Sequence, residues 1–195
     1  MALFSQLGVP IDSPYDDVDR WGTVVGNGIP QSCLNYLGEP PIERKPHDCV
    51  YLSSPVRGLE LLLDLWPAVL EAHPDAKLHV YYGWETIPLQ YQMRREIIMS
   101  KIAKLGVTWH GRVPQNQLER ELPQYGAVLY PCMFPEGYAN ALVRATAAGL
   151  TPVYPDIAAL GEIQYLSPYM LTAEVWGKPE SRLDSFAKTT IRALA

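Results

Sequence analysis

Residues Tyr130-Pro131-Cys132-Met133-Phe134-Pro135-Glu136-Gly137-Tyr138-Ala139-Asn140 bring an acid, a glycine and a helix start into one place. The apolar run Ala127-Val128-Leu129-Tyr130 before them reads as a buried parallel strand. Pro131 and Pro135 force a loop. Ala141 to Ala148 is rich in helix formers, and Gly149 is placed to end the helix. Loop amides at a helix N-terminus, around Gly137, Tyr138, Ala139 and Asn140, make a site for an anion such as a phosphate. Glu136 would repel a phosphate but can accept hydrogen bonds from sugar hydroxyls.

Two further groups bear on the same chemistry. Ser53-Ser54-Pro55-Val56-Arg57-Gly58 follows the strand candidate Asp48 to Leu52 and opens an apolar helix running to about Glu71. Hydroxyls and a guanidinium at such a helix start can hold phosphate oxygens; the bland alternative for Arg57 is a surface residue in a first helical turn. His110-Gly111-Arg112 closes the strand candidate Val107 to His110, where a strand-end histidine and an exposed arginine are the ordinary reading. No Ser-His-Asp arrangement and no Gly-rich phosphate loop with its lysine can be assembled. The four histidines are scattered, so no metal site is expected.

The elements that must position these residues follow in order. Lys77 to Tyr82 is a strand candidate ending at Gly83-Trp84. Leu89 to Leu105 reads as an amphipathic helix whose apolar face is Leu89, Met93, Ile97, Ile98, Ile102 and Leu105. A helix around Gln117 to Leu122, a strand over Thr151 to Tyr154, a short helix near Leu160, an edge strand within Tyr165 to Thr172 and a terminal helix over Ser181 to Leu194 complete the alternation. Strands alternating with helices predict an α/β fold: a Rossmann-like parallel sheet with helices on both faces. Ligands on such sheets bind at the strands' carboxyl ends. There lie Ser53, Ser54, Gly83, Trp84, His110, Gly111 and the Pro131 to Asn140 loop.

With 195 residues, 48% hydrophobic and 19% charged, the chain is a globular protein of ordinary composition. A net charge of -5 argues against nucleic acid and against an anionic membrane held by charge alone. No apolar stretch reaches transmembrane length. Cys33, Cys49 and Cys132 read as free thiols of a reducing compartment. Met1 to Arg20 reads as an arm or the remnant of a preceding domain, with Thr23 to Val25 the first strand candidate of a domain spanning residues 21–195.

The run Phe134 to Glu162, FPEGYANALVRATAAGLTPVYPDIAALGE, resembles the donor-site segment of retaining glycosyltransferases of the GT-B fold, family 4 type. Its parts are Pro135-Glu136-Gly137-Tyr138, Ala147-Ala148-Gly149, Thr151 to Tyr154, and Ala159-Leu160-Gly161-Glu162. The resemblance implies the C-terminal half of a GT-B fold that binds a nucleoside diphosphate sugar for retaining transfer, with no metal or other cofactor. It implies Glu136 on the sugar hydroxyls and Arg57-Gly58 in place of a Lys-Gly on the donor diphosphate. Ser53, Ser54, the amides from Gly137 to Asn140, and His110, Gly111 and Arg112 at the base-binding end would complete the donor site. Two positions depart: an earlier basic residue is replaced by the Leu52 to Ser54 region, and Arg144 stands where a ribose-binding glutamate is usual. The Asn-Gly turn at Gly26 to Gly28 comes so early that the acceptor-binding domain is expected on another chain or missing. The expected place of work is the cytoplasm, with membrane attachment only through a partner domain. The alternative is a non-catalytic nucleotide- or sugar-binding module.

Overall fold

The computed structural model describes residues 28–29, 31, 43–85 and 87–195. The arm over Met1 to Arg20, the strand candidate Thr23 to Val25 and Cys33 lie outside the described residues. Six strands run β1 Lys45–Tyr51, β2 Lys77–Val80, β3 Thr108–Trp109, β4 Tyr125–Leu129, β5 Thr151–Pro155 and β6 Met170–Leu171. The helices are α1 Leu59–Ala72, α2 Met93–Leu105, α3 Gln115–Glu121, α4 Asn140–Ala147, α5 Ala173–Trp176 and α6 Pro179–Leu194. All strand pairs are parallel, in the order β3-β2-β1-β4-β5-β6. This is the Rossmann-like sheet that the alternation predicts.

Alternation along each strand builds the two layers. Cys49 and Tyr51 of β1, Leu78 and Val80 of β2, and Ala127 and Leu129 of β4 face a core shared with Leu59, Leu62 and Trp66 of α1 and Phe186 and Leu194 of α6. Val50, Val128 and Tyr154 face the other side, against Leu142 and Ala145 of α4 and Leu160. Burial on both faces explains why β1 and β4 carry unbroken apolar runs. Gly106 and Gly149 end α2 and α4 with positive φ, as the sequence predicts.

The helix over Leu89 to Leu105 differs from its expected form. Leu89–Tyr91 is a separate 3-10 turn, and α2 begins at Met93. Ile98 and Ile102 are buried, but Leu89, Met93 and Ile97 are 85%, 86% and 52% exposed. At about 100° per residue, Met93 and Ile97 lie about 80–180° round the helix from Ile98, Ile102 and Leu105, about 125° on average. The apolar residues thus form two stripes, and only one meets the core. Pro55 likewise does not open α1: Pro55–Arg57 is its own 3-10 turn, and Gly58, with φ 134°, separates it from α1.

The chain lays β1, β2 and β3 outward on one side, then returns to place β4 beside β1 and continues outward on the other. The reversal lies between β1 and β4, with Cys49 opposite Ala127 and Val50 opposite Val128. Parallel sheets open a crevice beyond the strand ends at such a reversal. Two segments flank it: Leu52 to Gly58 after β1 and Tyr130 to Asn140 after β4.

Candidate functional site

Gly58 fixes how closely the two segments approach. A Cβ there would sit 2.1 Å from the Pro131 carbonyl oxygen, so only glycine lets the β1 loop lie against the β4 loop. The approach places Arg57 against Glu136, which is 79 residues away in sequence. An Nη1 hydrogen of Arg57 is donated to Glu136 Oε1, forming a close ion pair. The same oxygen accepts from the Tyr130 hydroxyl at 2.8 Å, and Ser53 Oγ donates to Tyr130 at 3.4 Å. The guanidinium also lies 4.7 Å from the centre of the Phe134 ring. Burial works against the Arg57 charge, but Glu136 and Tyr130 outweigh it and hold the proton more firmly than usual. Burial pushes the Tyr130 hydroxyl well up, so it remains a donor.

Glu136 is only 8% exposed, yet its Oε2 accepts no hydrogen bond from the described residues. A buried carboxylate with one engaged and one open oxygen is poised for a hydroxyl donor. The main chain pins it from behind, because the Ala159 N–H donates to the Glu136 carbonyl at 3.1 Å. Just beyond, α4 starts at Asn140 with Ala139, which has no capping side chain, at its cap position, and the Asn140 N–H is donated to the Tyr138 carbonyl at 3.1 Å. Gly137 leaves open space where a Cβ would stand. The N–H groups of a helix's first turn suit an anion.

A cavity of about 310 Å³ opens at the ends of β1, β2 and β3. Leu52, Tyr81, Tyr82, Gly83, Gly111, Arg112, Val113 and Leu118 line it. Its apolar and aromatic walls, with one arginine at the edge, suit a flat heteroaromatic ring.

The structure therefore brings most of the residues singled out from sequence onto one rim, with different roles for some. Ser53 is buried and bonded to Tyr130, and the Ser54 carbonyl accepts the Tyr51 hydroxyl at 2.7 Å, so these serines brace the loop. Gly111 and Arg112 line the cavity. His110 stands behind it, its ring stacked on Tyr81 at 4.1 Å between centres and 2° between planes. Trp84 turns inward, stacks with Trp109 and joins the core. Arg144 is half-buried on α4, without an ion-pair partner among the described residues. Tyr130, Tyr81, Tyr82 and Phe134 were not singled out from sequence. Tyr130 had a readable signal: in a buried strand that alternates, it must share a face with Val128. Among the described residues no group of His, Cys, Asp and Glu can hold a metal ion, Cys49 and Cys132 are free, and no helix is long and apolar enough to cross a membrane.

Comparison with known proteins places this architecture. The structure is similar to AviGT4, a glycosyltransferase involved in avilamycin A biosynthesis, at 15% identity and TM-score 0.60, over 100% of this chain and 57% of that one. It is similar to Anabaena Alr3699/HepE, solved with UDP and glucose, at 14% identity and TM-score 0.59, over 99% of this chain and 55% of that one. It is also similar to the pneumococcal O-GlcNAc transferase GtfA, solved with UDP and GlcNAc, at 20% identity and TM-score 0.53, over 78% and 29%. The chain thus spans between about a third and somewhat over half of the length of these proteins. No curated protein matches it in sequence. A family model described as "Glycosyl transferases group 1" matches residues 48–194, from β1 through the last turn of α6, and the chain belongs to that family.

Proposed function

We propose that this chain is the donor-binding domain of a retaining glycosyltransferase that uses a nucleoside diphosphate sugar. The observation that carries the reading is the Arg57–Glu136 pair, set across the β1/β4 crevice beside the uncapped start of α4. A donor of this class has three chemical parts, and the rim offers an environment suited to each. The base enters the cavity walled by Tyr81 and Tyr82. The diphosphate lies against the first turn of α4 and Arg57. The sugar presents hydroxyls to the open oxygen of Glu136. Uridine diphosphate sugars are the first donors to try, because two similar structures were solved with UDP and a sugar.

The residues present would act mainly by electrostatics. As the bond from the anomeric carbon to the diphosphate breaks, negative charge builds on the leaving oxygens and positive charge on the sugar ring. Arg57 and the α4 amides stabilise the first, in a site where burial strengthens each contact. Glu136 fixes the sugar through its hydroxyls. It also holds Arg57 in place before a donor arrives, so the site starts partly organised. An acceptor needs a further domain facing the crevice, in the same polypeptide or on another chain.

A second reading, a binding module without transfer, is favoured by one observation. Arg144 brings a donor-only cation, unpaired among the described residues, to the helix that faces the ribose in this reading. The test is transfer itself. Residues 1–195 alone are expected to bind donor but transfer no sugar across a broad acceptor set. Transfer is expected on adding a companion acceptor domain. Efficient transfer by the chain alone would contradict the need for a second domain. Donor binding without transfer in any reconstitution, including with Arg144→Glu, would favour the binding module.

A further inference from the structure

Behind the Tyr81 wall of the cavity lies a chain of titratable groups that the proposed donor contacts do not use. His79 Nδ1 and His110 Nε2 are 3.0 Å apart, bridging β2 and the end of β3. On its other side His79 Nε2 lies 3.5 Å from Asp48 Oδ2, and Asp48 is buried on β1. Among the described residues that nitrogen has no hydrogen-bond partner of good geometry and is closed off from solvent, and the Asp48 carboxylate lies within ion-pair distance of it. His110 then stacks flat on Tyr81, which lines the cavity. Tyr81 is itself fixed by its hydroxyl, which donates to Glu121 Oε2 at 2.6 Å and also meets the Tyr125 hydroxyl.

We propose that Asp48, His79 and His110 form a proton-accepting relay that positions Tyr81 and makes anionic ligands bind more tightly in the adjoining site as pH falls. The inference rests on the reading of that site as a nucleoside diphosphate sugar site. The tautomers follow from the neighbours. Asp48 favours a proton on His79 Nε2. His79 Nδ1 is then an acceptor, and His110 Nε2 must donate to it. The remaining nitrogen, His110 Nδ1, is where the relay takes up its next proton. The imidazolium so formed lies face to face with the Tyr81 ring, where a cation is favoured. It also sits next to Gly111 and Arg112 of the cavity wall.

The charges facing the relay set its direction. Asp48 on β1 and Glu121 on α3 favour the proton; Lys45 on β1 opposes it at His79. Tyr81 and Tyr125 face it as neutral hydroxyls, since burial raises both. Arg112 borders the same wall. Burial is the largest influence on both histidines and lowers both below the ordinary imidazole value near 6.5. Both imidazoles are therefore neutral at pH 8 and the pair gains its proton only on acidification. A diphosphate bound further along the same rim adds negative charge that raises the proton affinity through space, so proton uptake and ligand binding reinforce each other.

The experiment uses the chain with UDP-glucose, whose diphosphate has no ionisation between pH 5 and 8. Calorimetry at pH 8.0, 6.5 and 5.5 should show binding about three- to tenfold tighter at the lowest pH, with proton uptake. His110→Gln keeps a side-chain donor but cannot charge; whatever its affinity at pH 8, the ratio of its affinities at pH 5.5 and pH 8.0 should fall close to one. Unchanged pH dependence in both His110→Gln and His79→Gln would overturn the relay. So would equal affinity at every pH in the wild type, which would leave the donor-site reading standing. Absence of binding at every pH would sink both. A ligand-independent check is the imidazole NMR titration: His79→Gln should move the His110 midpoint, and an unmoved midpoint would overturn the coupling.

Discussion

Replacing Arg57 with alanine is expected to weaken nucleoside diphosphate binding by about ten- to a hundredfold, the size of a lost charge-assisted contact of about 1.5–3 kcal/mol. Binding of the parent nucleoside should change by no more than about twofold. The asymmetry follows from placement. Arg57 stands in the β1/β4 crevice with Glu136, whereas the cavity suited to a base is lined by a different set of residues. The substitution also strips the buried Glu136 of its ion-pair partner. Some loss of stability should accompany the loss of affinity, moderated because the Arg57 side chain is 37% exposed. Arg57→Lys separates the two effects: it keeps the charge and loses the planar fork, so stability should recover more than affinity. Equal losses for nucleoside and diphosphate in Arg57→Ala would place Arg57 outside the phosphate site.

Gly58→Ala should be the most damaging single-methyl change in the described part of the site. Gly58 adopts φ 134°, which side chains rarely tolerate, and its Cβ would lie 2.1 Å from the Pro131 carbonyl oxygen. That neighbour is backbone, so the β1 loop and the β4 loop must separate. Strain of this kind costs about 1–3 kcal/mol before any repacking. A total near 3 kcal/mol would lower the melting temperature by about 6–12 °C for a chain of this length. The separation would also part Arg57 from Glu136, so diphosphate affinity should fall with stability. Gly137→Ala is the matched control: its Cβ enters open space, and the fold should keep its melting temperature within a degree or two. A Gly58→Ala chain as stable as wild type would show that the two loops are not held in this contact.

The sheet was readable because its strands are short apolar runs that alternate with helices, and β1 and β4 are buried on both faces. The register and the strand reversal are consequences of topology, so the rim followed once the alternation was seen. The two-stripe helix α2 was not readable. Leu89, Met93 and Ile97 recur at helical spacing as well as Ile98 and Ile102 do, and only the packing of α1 decides which stripe is covered. The pairing of Arg57 with Glu136 was also beyond sequence. Each was singled out for its own chemistry, but their contact depends on how closely Gly58 lets two distant loops approach. His110 was expected to border the ligand; its ring stacks on Tyr81, which lines the cavity, and is not itself part of that lining. A strand-end residue's side is set by the two-residue period, and β3 holds only Thr108 and Trp109, too few to establish that period.

The β1/β4 crevice and the neighbouring cavity are proposed to hold a nucleoside diphosphate sugar. Calorimetric titration with a panel of nucleosides, nucleoside diphosphates and their sugars, on wild type and on Glu136→Gln, tests it most directly. One site per chain is expected, with each diphosphate bound more tightly than its nucleoside. Glu136→Gln should weaken the diphosphate sugar by more than it weakens the plain diphosphate, because only the sugar reaches the open Glu136 oxygen. Binding with no preference for the diphosphate, or a Glu136→Gln effect equal for both ligands, would contradict it.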